Sequence, residues 1–144
     1  MLLTRVRLLV ATLWAGSLWT VGYLVAPTLF ATLYDRALAG TVAASMFRSE
    51  AWLSIACAVI MLVLLMVARE LDAKRRRLLA VLALAMLVCT LAVHFGLQPM
   101  MAALRTGGEM EPAAKTRFGV LHGISSVIYL IQSVLAGVLV AKHA

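Results

Sequence analysis

Acidic residues are scarce in this chain, with six aspartates and glutamates against 13 lysines and arginines. All six lie outside the long uncharged runs as the sequence divides them. That argues against a familiar proton- or sodium-coupled pump, because a carboxylate is kept in lipid only where its charge is used. The same scarcity removes paired-carboxylate hydrolysis. There is also no HExxH, Walker loop or nucleophile elbow, so no enzymatic activity is expected. Cysteine is nearly absent: Cys57 and Cys89 both lie inside uncharged runs, where a disulfide framework is not expected. The basic residues lack interleaved aromatics or a binding motif, so the net charge of +7 does not imply nucleic acid. Polar residues as a whole are too few to cover a water-soluble globule, since 64% of the chain is hydrophobic and the mean hydropathy is +1.01.

What is present is hydrocarbon in four blocks. Uncharged runs extend from Leu8 to Tyr34, Ala51 to Ala68, Leu78 to Leu104 and Phe118 to Ala141. About 20 helical residues cross the ~30 Å hydrocarbon layer, so each run suffices for one crossing. A helix satisfies its own backbone hydrogen bonds in lipid, which an open sheet cannot do. The reading is therefore all-α: a four-helix transmembrane bundle forming one integral membrane domain over 1–144, with spans at about 8–33, 51–69, 78–98 and 118–141. The first run follows Arg5 and Arg7 as a signal peptide would, but it is too long for an h-region and holds Trp14, Trp19 and Pro27, so it reads as an uncleaved span. Asp35 is a natural N-cap for Arg36–Phe47, which is expected as a short extracytoplasmic helix or as an extension of the second span. The loop Arg105–Pro112 is turn-rich and is expected to be the most mobile segment.

Eight basic residues, Arg5, Arg7, Arg69, Lys74, Arg75, Arg76, Arg77 and Lys142, fall on one side of the spans, and five on the other. By the positive-inside rule this predicts a bacterial inner-membrane protein with both termini cytoplasmic. Lys74, Arg75, Arg76 and Arg77 act first as an orientation anchor and would also sit well on anionic lipid headgroups.

The remaining polar side chains gather toward the outer leaflet. On a helix His122, Ser125, Ser126, Tyr129 and Ser133 share one face, and Thr90, His94 and Gln98 share another. With Tyr23 these form a polar layer of interhelical or pocket residues. Hydrogen bonds across the bundle, at ~0.6–2 kcal/mol each, would account for them without further purpose. Two functional readings compete with that plain packing role. His94 and His122, if at similar depth, would suit a haem iron in a haem- or quinone-associated redox subunit. Cys57 with Met61, and Met86 with Cys89, would offer sulfur to a soft metal. No cofactor is assigned. Expected partners are the lipid bilayer and a second copy in a homo-oligomer, or another membrane protein that this one supports structurally. Ala26–Pro27 and Gln98–Pro99 occupy equivalent places at the outer ends of spans one and three, a hint of two related hairpins.

Phe118–Gly119–Val120–Leu121–His122–Gly123–Ile124–Ser125–Ser126, preceded by Pro99–Arg105, Trp14–Ala15–Gly16 and Ala26–Pro27–x–Leu29–Phe30, resembles the transmembrane protein 205-like family, whose bacterial members form a domain of unknown function. The likeness runs over nearly the whole chain. It implies a four-span fold and, from the animal relative, an association with resistance to platinum drugs. His122, Gly123, Ser125, Ser126 and Pro99 match the pattern; His94 is not required by it. The working expectation is membrane transport, or resistance to soft metals or toxic compounds.

Overall fold

The computed structural model describes residues 1–105 and 110–144. Four long helices account for almost all of them: α1 over Leu2–Thr32, α2 over Arg36–Met66, α3 over Ala73–Arg105 and α4 over Pro112–His143. Each is long and apolar enough to cross a membrane. The turn expected in Arg105–Pro112 falls largely on 106–109, outside the described residues.

Local chemistry sets the helix ends. Asp35 Oδ1 accepts from the amides of Ala37 and Leu38 at 2.9 and 3.1 Å, and Asp72 Oδ1 accepts from Arg75 N at 2.6 Å, so both aspartates satisfy amides that a helix start leaves orphaned. Pro112 occupies the first turn of α4, where its missing N–H costs nothing. The expected short extracytoplasmic helix is not a separate element. Arg36–Phe47 forms the first turns of α2 and runs unbroken into the second span, because the stretch holds no proline and Gly40 alone is too weak a break to stop propagation.

Short connections make sequence neighbours antiparallel. α1 packs on α2, α2 on α3 and α3 on α4, and α4 closes the ring against α1, giving an up-down-up-down bundle. The core centres on Trp14, Leu18, Ala58, Met61, Leu65, Met86 and Leu139. The outer surface is apolar as well: Leu9, Leu13, Leu24, Val59, Ile60, Val63, Val88, Val127, Ile131 and Val134 are all exposed. So continuous an apolar exterior belongs in lipid. The four spans therefore imply contact with a bilayer.

α1 and α3 share a distortion. Thr20–Val25 and Ala92–Leu97 are π-helical, and each leads directly into Ala26–Pro27 or Gln98–Pro99. Proline lacks an amide hydrogen and crowds the carbonyl four residues back, and a widened turn relieves that conflict without breaking the helix. The sequence hint of two related hairpins thus reappears as the same distortion at the same place in both odd-numbered helices.

Candidate functional site

Among the described residues five hydrogen bonds link helices at mid-height, one of them from Trp19 Nε1 to the Ser133 carbonyl at 3.1 Å. Trp14 Nε1 donates to Ser54 Oγ at 3.0 Å, and Ser54 Oγ donates to Glu50 Oε1 at 2.5 Å. Gln132 Nε2 donates to Thr90 Oγ1 at 2.8 Å. Tyr129 donates to the Leu18 carbonyl at 2.5 Å, and Tyr23 to Ser133 Oγ at 2.9 Å. Each of these groups would be costly alone in hydrocarbon, and each has a partner on another helix or one turn away.

Above this belt lies a half-open cavity of about 300 Å³. α2 contributes Ala44, Phe47, Arg48, Glu50 and Ala51; α3 contributes Thr90, Val93, His94, Gln98, Pro99, Ala102 and Arg105; α4 contributes Tyr129 and Gln132. The widened turn of α3 carries His94, whose ring lies 6.0 Å from that of Trp52 and 4.7 Å from that of Phe95. Phe47 and Tyr129 meet edge to face at 5.4 Å.

Glu50 immediately precedes the uncharged run read from the sequence as the second span. It sits inside α2, is 6% exposed, and lines the cavity. Its distance from the Met66 end of the helix is about 24 Å at ~1.5 Å per residue, short of the ~30 Å hydrocarbon thickness. Among the described residues the only ion pair is Arg7–Glu70, so Glu50 has no cationic partner within bonding distance.

The structure divides the expected polar residues. His94, Gln98 and Tyr129 line the cavity, and Tyr23 stands beside them with its ring 6.0 Å from that of Tyr129. Ser125 is buried and its hydroxyl has no partner among the described residues. His122 and Ser126 lie on the exterior. His122 stacks on Phe118 at 6.2 Å, which also receives the Arg105 guanidinium at 5.3 Å, while Ser126 donates to the His122 carbonyl of its own helix at 2.8 Å. The two histidines are not at one depth. Thr90 pairs with Gln132 and Arg105 with Phe118, a register that sets His94 level with Ile128. That is about 9 Å from His122 along the axis at ~1.5 Å per residue, too far for the two to serve as axial ligands of one iron. Cys57, Met61 and Met86 pack in the apolar core, and Cys89 is half-buried outside that cluster.

Sequence reasoning missed Glu50, Ser54 and Gln132. Glu50 and Ser54 are one turn apart, a spacing that places them on one face, but ending the span at the first charge hid the pair. Gln132 was the one amide inside the fourth uncharged run.

The opposite end of the bundle is held by charge. Buried Arg7 donates to Glu70 at 2.7 Å, and that hydrogen bond holds the Glu70 carboxyl below its ordinary range. Arg75 donates to the Lys142 carbonyl at 2.7 Å, tying α3 to α4. Lys74, Arg75, Arg76 and Arg77 are all exposed there.

The family whose description is Domain of unknown function (DUF4149) matches residues 9–109. The match takes in most of α1 and all of α2 and α3, with Glu50, His94 and Gln98, and stops short of Phe118–Ser126. No curated protein and no solved structure matches the chain. The chain belongs to the DUF4149 family.

Proposed function

Starting from that membership, we propose that this four-span protein binds a small organic cation in the cavity above Glu50, and so serves membrane transport of, or tolerance to, such compounds. The observation that carries the reading is the buried, unpaired carboxylate. An ionisable group kept inside a bundle, away from any ion pair, marks a functional site. The cavity offers oxygen and imidazole from Glu50, Thr90, Gln98 and His94, with the rings of Phe47 and Tyr129 beside them, a lining suited to an amine or quaternary ammonium. Arg48 and Arg105 also line it but are exposed, and Arg105 lies over the Phe118 ring. Thiophilic metals favour sulfur, and the sulfurs here are packed elsewhere. Of the two classes expected from the sequence, soft metals and toxic compounds, the cavity therefore fits the second better, in the form of an organic cation. Likeness to the transmembrane protein 205-like family, with its drug-resistance association, is consistent with the same reading. Both termini are placed in the cytoplasm of a bacterial inner membrane on the basic-residue split, so the cavity opens outward. No catalysis is assigned.

Equilibrium binding of tetraphenylphosphonium to the full chain in nanodiscs tests this. Glu50→Gln is expected to weaken binding about tenfold or more, the scale of a lost buried counter-ion, while His122→Ala leaves it unchanged. Equal binding by wild type and Glu50→Gln would refute the proposal, as would failure of the wild type to exceed empty discs.

A further inference from the structure

The cytoplasmic ends of α3 and α4 frame a second, larger groove of about 870 Å³, at the opposite end of the molecule from Glu50 and independent of it. Its rim carries Lys74, Arg75, Arg77 and Lys142, with Asp72 the only acid. Asp72 is occupied in capping α3, and Arg75 in holding the Lys142 carbonyl, a bond that fixes the two walls relative to each other. Lys74, Arg77 and Lys142 form no ion pair among the described residues. Below the rim the walls turn apolar: Leu78 and Val81 on α3 are 42% and 53% exposed, and Ala141 faces them from α4. Leu78 and Val81 lie one and two turns deeper than Lys74, so the groove changes from cationic to hydrocarbon along the direction of the bilayer normal.

We infer that this groove is a binding site for an anionic glycerophospholipid, its phosphate held by Lys74, Arg77 and Lys142 and its acyl chain laid along Leu78 and Val81. The ligand must be anionic at one end and apolar at the other to match both zones, and the inner end of a membrane span is where such molecules stand. The same basic cluster supplies its own control. Arg5, Arg69 and Arg76 lie near the same end and are exposed, but none lines the groove.

The test is thermal unfolding of the full chain in maltoside detergent, titrated with dioctanoyl-phosphatidylglycerol, dioctanoyl-phosphatidylcholine or glycerol phosphate. Phosphatidylglycerol alone is expected to raise the melting temperature saturably. The combined variant Lys74→Gln, Arg77→Gln, Lys142→Gln should weaken that response at least about tenfold, whereas Arg5→Gln, Arg69→Gln, Arg76→Gln, which removes the same charge, should change it by less than about twofold. Equal effects of the two lipids would mean general solvation and overturn the inference. So would an equal loss in both triple variants, which would mean nonspecific charge, or full stabilisation by glycerol phosphate, which would mean a phosphate site without lipid specificity.

Discussion

At Glu50 a single side chain changes the meaning of the structure around it. A charge in the sequence ordinarily marks the end of a span, and by that rule Glu50 was set outside; in the fold, the helix continues on both sides of it, and Ser54 and Trp14 supply a hydrogen-bonded chain to its carboxylate. Polar satisfaction across helices depends on which residues oppose each other, and that is not written in any one span. Tyr23, Tyr129, His94 and Gln98 were legible as a polar layer because helical spacing alone collects them. His122 shares their periodicity but lies on the exterior, while Ser125, one turn on, is buried. Gly22 shows the same dependence on context. A Cβ there would overlap the Tyr129 ring, which its bond to Leu18 holds in place. Gly22→Ala should therefore cost about 1–3 kcal/mol by overpacking, measured by denaturant unfolding in mild detergent. Gly123→Ala, where a Cβ meets nothing within 4 Å, should stay within about 0.5 kcal/mol of wild type.

At the level of elements, the prolines and caps were readable and the widened turns were not. Pro27 and Pro99 announce a distortion, but kink and π-turn are alternative answers to the same clash, and packing against the neighbouring helices selects between them. Asp35 was readable as a cap, while the fusion of Arg36–Phe47 into α2 followed from the absence of any strong stop before Ala51. The connection between α2 and α3 carries a pH-dependent clamp. Because the Arg7 hydrogen bond lowers the Glu70 carboxyl, the folded protein holds that proton less tightly than the unfolded chain does. The clamp's contribution is then complete above the unfolded carboxylate value of about 4.3 and is lost as pH falls through the lower folded value. Glu70→Gln should lower stability at pH 7 and flatten the acid limb of the stability profile. A parallel limb in variant and wild type would show that Arg7 does not govern it.

For the molecule as a whole, composition and run length were enough to read four spans in one all-α bundle, since lipid leaves few other solutions for so apolar a chain. The cavity was not legible, because it arises where α2, α3 and α4 separate around side chains that sit far apart in sequence. The helices also outrun the hydrocarbon layer, and the cavity lining rises along α2 and α3 to Ala44 and Arg105. The basic groove lies at one end of the bundle and the cavity floored by Glu50 toward the other. Substituted-cysteine labelling tests this arrangement most directly. In a chain carrying Cys57→Ala and Cys89→Ala, Ala51→Cys and Gln98→Cys should react with a membrane-impermeant methanethiosulfonate added outside intact cells, while Ala58→Cys, in the core below the polar belt, should not. Labelling of Ala51→Cys and Gln98→Cys only from the cytoplasmic side, or from neither side, would contradict an outward-opening cavity that ends on Glu50.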